Sequence, residues 1–332
     1  MPAALSRSAR RRVLQVSAAL LALAGVLVWW LVPIGTKEPS GHVTFSTGVP
    51  TGVYQRYGKL LQQALARDLP DVSITLTDSE GSQQNLARLA SGEADFTVAT
   101  ADAVAQYQRD RRPGFERLRG CARLYDDYVQ LVVPKGSTVQ SVADLRGRRV
   151  GVGQAGSGVR LIADRVLAAA GLTPDVDIVP VSAGIDTMPG LLERHRLDAF
   201  FWSGGLPTQA VQDLSERLPV RLVALDEALI ESLHDVGEST RHYRSATIPA
   251  DAYSLAQDGN SVDTLAVANI LVTTDAADPD LVEGFTRTVI ASRDRIGGQV
   301  HPAQLVDLRT AIYTDPLPLH EGARRYYRSV KP

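Results

Sequence analysis

The chain has 332 residues, 44% hydrophobic and 22% charged, with 35 basic and 37 acidic side chains and one cysteine. These proportions belong to an ordinary globular protein with room for one large or two medium domains. They exclude an internal disulfide and, with no basic tract beyond Arg109, Arg111 and Arg112, argue against a nucleic-acid partner.

Residues 1–12 form a basic stretch carrying Arg7, Arg10, Arg11 and Arg12, and residues 13–34 then run for 22 positions without a charge. As a helix that run is about 33 Å long, enough to cross a hydrocarbon core, and the arginines hold its start in the cytoplasm. Ala22-Leu23-Ala24 also fits a signal-peptidase site. Cleavage there would leave an apolar new terminus, whereas Trp29 and Trp30 suit the far membrane interface. An uncleaved anchor is therefore the preferred reading, with an extracytoplasmic domain on either account. Cys121 lies too deep in the chain to carry a lipid anchor. Residues 35–41 read as a short linker. Less the four leading arginines, the exported part carries 31 basic against 37 acidic residues.

The exported part alternates strand and helix signals. Gly48 and Gly151 each close a short apolar strand before a glycine-rich turn, Gly81 and Gly184 each precede a helix, and Asp95 and Asp198 each stand before an apolar strand. With Leu89 and Leu192, the four pairs share an offset of 103. A duplicated α/β unit accounts for this, although any α/β chain repeats strand–turn–helix units. Parallel sheets follow, with ligands held beyond the strand ends where turns meet helix starts. We expect 42–130 to form the first part of domain 1 and 131–245 to form domain 2. Residues 246–332, with a strand at 265–273 and a helix burying Leu281, Phe285 and Val289, then cross back to complete domain 1.

The first turn, around Thr47 and Gly48, leads into a helix opened by Tyr54, and Gly81-Ser82 opens another. Free backbone N–H groups at such helix starts suit a carboxylate. Ser79 and Ser82 serve equally well as plain N-caps. Thr100 and Asp102 follow the strand 96–100, placed to line a cleft or cap a helix. Gly151-Val152-Gly153-Gln154-Ala155-Gly156 matches G-x-G-x-x-G, but Ser157-Gly158 lengthen the loop, and an exported domain has little access to a dinucleotide. Gly52–Leu60 misses the phosphate-loop spacing, no G-x-S-x-G occurs, and the six histidines are isolated. No cofactor, metal or catalytic residue is expected, and the chain is not expected to be an enzyme. Phe200-Phe201-Trp202 is core by default, yet Trp202 beside Ser203-Gly204-Gly205 also suits a pocket wall with amides as polar spots.

Several segments, in order, resemble the TAXI group of solute-binding subunits of TRAP transporters. They are Ser46-Thr47-Gly48…Thr51-Gly52-Val53-Tyr54, Ser79-Glu80-Gly81-Ser82, Ala90-Ser91-Gly92-Glu93-Ala94-Asp95-Phe96, Asp144–Gly153, Gly156-Ser157-Gly158, Phe200–Gly205, Thr247-Ile248-Pro249 and His320-Glu321-Gly322-Ala323. The resemblance implies a type II periplasmic-binding-protein fold, α/β with two domains around a cleft. It implies capture of a small carboxylate, either an amino acid such as glutamate or glutamine or a dicarboxylate, for delivery to TRAP membrane subunits. Backbone amides of Thr47–Gly48, Gly81–Ser82 and Gly156–Gly158 would hold the carboxylate. Tyr54 and Trp202 would pack on the carbon skeleton, Gly204 beside Trp202 would line the site with its backbone, and Thr100 and Asp102 would read a polar or amino group. Arg56 and Arg160 could add charge, though both positions suit solvent. Pro50 departs from the glycine-rich first turn of the group. A monomer is expected. A membrane-tethered sensor using the same cleft, or an exported enzyme, are the rival readings.

Overall fold

The computed structural model describes residues 39–235 and 237–330, with positions 17 and 23 isolated before them. The anchor read at 13–34 lies outside the described residues. Among the described residues no helix is long and apolar enough to cross a membrane.

Ten strands form one sheet: β1 (Gly41–Ser46), β2 (Val72–Thr77), β3 (Phe96–Thr100), β4 (Leu118–Pro134), β5 (Arg149–Gly151), β6 (Val179–Val181), β7 (Ala199–Gly204), β8 (Val220–Val223), β9 (Tyr243–Ile248) and β10 (Val262–Thr274). The order β2-β1-β3-β10-β4-β7-β5-β6 contains two similar parallel trios, with β1 between β2 and β3 and β5 between β6 and β7. Each trio holds one copy of the repeat marked by the offset of 103. Phe96–Thr100 and Ala199–Gly204 are buried at every position, as strands covered on both faces must be.

Two long antiparallel strands, β4 and β10, join the trios into two lobes. The second half of β10 pairs with β3 through residues 269–272, and β4 pairs with β7 from Tyr128 to Val132. Both strands therefore pass from one lobe to the other near the middle of their length. The apolar stretch VQLVVP marks only the far end of β4, whose 17 residues start at Leu118. Residues 246–261, expected with the first domain, stay with the second lobe. Β9 pairs along the first half of β10, and the Tyr253 hydroxyl accepts from the Thr208 N–H at 2.7 Å. The return strand is long, so its opening half finds second-lobe partners before it crosses.

The first lobe is completed by the C-terminal helices. Helix Pro279–Ala291 starts on Asp278, whose side chain accepts from two backbone amides, and turns Phe285 and Val289 inward, leaving Leu281 half-buried. Phe285 stacks on Phe96 with ring centroids 4.1 Å apart. Helix Val53–Asp68 covers the same sheet face with Tyr57, Leu61, Ala64 and Leu65, a 3.6-residue spacing that fixes its buried stripe.

Candidate functional site

The cleft between the lobes holds a cavity of about 60 Å³, partly open to solvent. Gly48, Tyr54, Gly81, Ser82, Thr100, Ser157, Gly158, Trp202 and Gly204 line it, as the sequence leads one to expect. Three helices start on it: Val53–Asp68, Ser82–Ser91 and Gly158–Ala169. The first two have no side-chain cap. At the second, Gly81 N–H donates to Ser79 Oγ, Gln84 N–H to the Gly156 carbonyl and Asn85 N–H to the Gly81 carbonyl. The amides of Ser82 and Gln83 are left without a partner among the described residues. At the third helix Ser157 Oγ accepts from Arg160 N–H at 3.0 Å, leaving Gly158 and Val159 in the same state. Three dipole ends and the open amides of Ser82, Gly158 and Val159 thus border one volume, with Gln83 outside its lining, an arrangement suited to an anion.

The side chains around these amides are locked by hydrogen bonds. Ser82 Oγ meets Tyr54 OH at 3.1 Å and accepts from the Thr100 N–H at 3.2 Å, and Tyr54 OH also donates to Asn269 of β10. Burial raises the Tyr54 phenol well above its ordinary value, so it stays neutral. Trp202 donates from Nε1 to Thr208 Oγ1 at 3.0 Å, which presents the indole as a fixed apolar wall. Val49, Val53, Val159, Ile185 and Met188 extend that wall.

The lobes already touch. Gln83 Nε2 donates to the Ser157 carbonyl at 2.7 Å, and a Cβ on Gly81 would stand 3.4 Å from Ser157 Cα. That distance is ordinary contact, so it is the φ of +126° that calls for glycine at position 81. The Gly156 carbonyl is held by Gln84 of the opposite lobe, which covers the G-x-G-x-x-G loop where a pyrophosphate would have to lie.

Three expected ligand residues do not line the cavity. Thr47 is fully buried, with Oγ1 donating to Gln55 and to the Thr77 carbonyl, so it braces the first turn. Gly156 contributes its carbonyl to the contact between lobes and lies beyond the cavity lining. Asp102 turns into a buried cluster: its Oδ2 accepts from Arg165 Nη1 at 3.1 Å and from Tyr243 OH at 2.6 Å. Arg165 donates further to Gln106 and Ser239, each within 2.8 Å. That network ties helix Ala101–Arg109 of the first lobe to the second. Arg160 is paired with Asp164 at 2.8 Å, and neither it nor Arg56 lines the cavity.

One lining residue escaped the reading of the sequence. Asp127, on β4 where the strand passes between lobes, is 4% exposed and its Oδ1 has no hydrogen-bond partner. Burial pushes its carboxyl up to about 7, with Asn269 opposing the shift and Asp126 and Asp102 adding to it. The signal was present as two consecutive aspartates inside an otherwise apolar strand, LYDDYVQLVV. Glu80 also lines the cavity, whereas no lysine, arginine or histidine does. Among the described residues no cluster of three or more His, Cys, Asp or Glu could hold a metal ion.

Two lobes of parallel sheet, two crossing strands and a cleft lined by helix starts define an α/β fold of the periplasmic-binding-protein type. Residues 45–330 match the NMT1-like family, and the chain belongs to that family. Among solved structures, a protein from Bordetella bronchiseptica superposes with a TM-score of 0.51 at 17% identity, covering 88% of this chain and 90% of that one. A putative L-cystine ABC transporter protein from Listeria monocytogenes gives 0.50 at 12% identity, over 80% of this chain and 98% of that one. A Xanthomonas citri protein bound to ATP gives 0.50 at 13% identity, over 88% and 100%. At these identities the likeness is one of fold.

Proposed function

We propose that the protein is an extracytoplasmic receptor that captures a small carboxylate in its cleft and delivers it to a membrane permease. The observation that carries this reading is the convergence of three helix starts, with the unpartnered amides of Ser82, Gly158 and Val159, on one apolar-walled cavity. A carboxylate seated on Ser82, Gly158 and Val159 touches both lobes at once, so its binding energy favours the closed form. The order of motifs along the chain supports a TRAP-type permease as partner, and the apolar run 13–34 supports attachment to the cell membrane by an uncleaved helix. The receptor is proposed to act as a monomer.

A thermal-shift screen of the full-length chain against monocarboxylates, dicarboxylates and amino acids tests the capture step. A rise in Tm with at least one carboxylate class is expected, and no shift across the whole panel would end this reading. Uptake assays in the native cell separate the permease classes. Loss of uptake on collapsing the ion gradient supports a TRAP-type partner, and loss on ATP depletion with the gradient intact overturns it.

A further inference from the structure

The charge balance of the cavity narrows the solute beyond a carboxylate. The open amides of Ser82, Gly158 and Val159 and three helix dipoles supply positive potential on one side, while among the described residues the lining carries Asp127 and Glu80 and no cationic side chain. A second carboxylate on the solute would therefore find no counter-charge, and a carboxylate alone would leave Asp127 as it stands. A buried polar atom without a partner costs roughly 1–3 kcal/mol, so such atoms in a folded protein call for an explanation. Asp127 is well over nine-tenths buried, its Oδ1 is unsatisfied and it lines the cavity, as does Ser203, whose Oγ is likewise unpartnered. Both lie on the strand pair β4–β7, within the same small volume as the amides.

We infer that the solute is a neutral α-amino acid bound as its zwitterion, with the Asp127 carboxylate accepting from the ammonium while the helix-start amides of Ser82, Gly158 and Val159 hold the carboxylate. The inference rests on the capture reading and replaces its dicarboxylate and glutamate options. The side chain lies against Val53, Val159, Ile185, Met188 and Trp202, so an apolar one fits. A dicarboxylate would add a second negative charge beside two carboxylates in a poorly hydrated space, where like charges repel strongly.

The test compares each of the neutral amino acids with the acid that lacks its amino group, leucine against 4-methylpentanoate for example, and adds glutamate, glutarate and succinate. Binding of each is measured by calorimetry on the full-length chain and on Asp127→Asn. A charge-assisted hydrogen bond corresponds to roughly 10–100-fold in affinity. The intact protein is expected to prefer one or more neutral amino acids over their desamino partners by that factor. In Asp127→Asn the preference is expected to collapse, with affinity for the desamino acid kept. Desamino acids, glutamate or dicarboxylates binding as tightly as the best neutral amino acid in the intact protein would overturn the inference and leave carboxylate capture standing. An unchanged preference in Asp127→Asn would overturn the role given to Asp127. The ratio in the intact protein decides the matter even where the variant does not fold.

Discussion

Asp127 carries an energetic consequence that can be separated from binding. Its carboxyl titrates at about 7 in the fold against 3.8 as a free side chain. Between roughly pH 4 and 7 the unfolded chain releases a proton that the folded chain keeps, so this group makes stability fall as pH rises through that window. The full difference is at most about 4 kcal/mol at pH 8. The groups facing it are Tyr54 from the first helix, Tyr125 and Asp126 on its own strand, Asp102 from the helix after β3 and the neutral Asn269 from β10. None supplies a cation. Asp127→Asn is therefore expected to raise the Tm of the unliganded protein at pH 8 and to leave it little changed at pH 4, as read by thermal denaturation. An equal change at both pH values would contradict the raised pKa. Ligand affinity gives a second readout: if the ionised form binds, affinity for an amine-bearing solute drops about tenfold per pH unit below 7 and is flat above it.

The elements that build the site are tied at their ends. Ser157 caps helix Gly158–Ala169 and also donates to the Gln154 carbonyl, so it sets the direction in which the Gly158 and Val159 amides point. Ser157→Ala is expected to cost about 1 kcal/mol of stability, measured by denaturant titration, and to weaken ligand binding besides. A pure loss of stability with unaltered affinity would show that those amides are not part of the grip. On the far side of the cleft, Arg165, Asp102 and Tyr243 form a buried latch between helices of opposite lobes. Removing one partner leaves an uncompensated buried charge, so Arg165→Met is expected to destabilise by roughly 3–5 kcal/mol. Adding Asp102→Leu should restore much of that loss, and a double-mutant cycle with additive terms would refute the coupling. The latch also explains why Asp102, which looks like a ligand residue beside Thr100, is turned away from the cavity: a fully buried carboxylate found a guanidinium first.

On the scale of the whole molecule, the two lobes meet beside a cavity partly open to solvent, hydrogen bonds at Gln83–Ser157 and Gln84–Gly156 join them, and β4 and β10 are the long elements that pass between them. Rotation about these strands opens the cleft, and a ligand touching both sides favours closure. The lone cysteine is completely buried, so new thiols can be labelled selectively. Thr51 and Asp186 are exposed beside lining residues of opposite lobes. Spin labels at Thr51→Cys and Asp186→Cys are expected to give a shorter distance with ligand than without, and an unchanged distribution would exclude closure on binding.

Much of this design is legible in the linear chain because it depends on local pattern. Alternating strand and helix signals, the repeat at an offset of 103 and the glycine-marked turns at Gly48, Gly81 and Gly156–Gly158 read directly, since period, turn chemistry and helix starts are properties of neighbouring residues. The apolar run 13–34 with its arginine flank is read in the same way. Which of those residues reach the cavity is not local. Thr47, Gly156 and Asp102 have the right types at the right places, yet each is claimed by a partner that lies far along the chain or across the cleft. Asp127 looks like one half of a charged pair in a strand, and only the pairing of β4 with β10 and β7 separates it from Asp126, which is held by Arg123 and Arg244, and leaves it alone at the crossing. The sequence determined the class of scaffold and the chemistry offered by its turns, because hydrophobic period and backbone preference act over a few residues. The tertiary structure alone decided which polar groups are satisfied and which remain open, because that depends on where chain segments 63 to 141 residues apart come to rest.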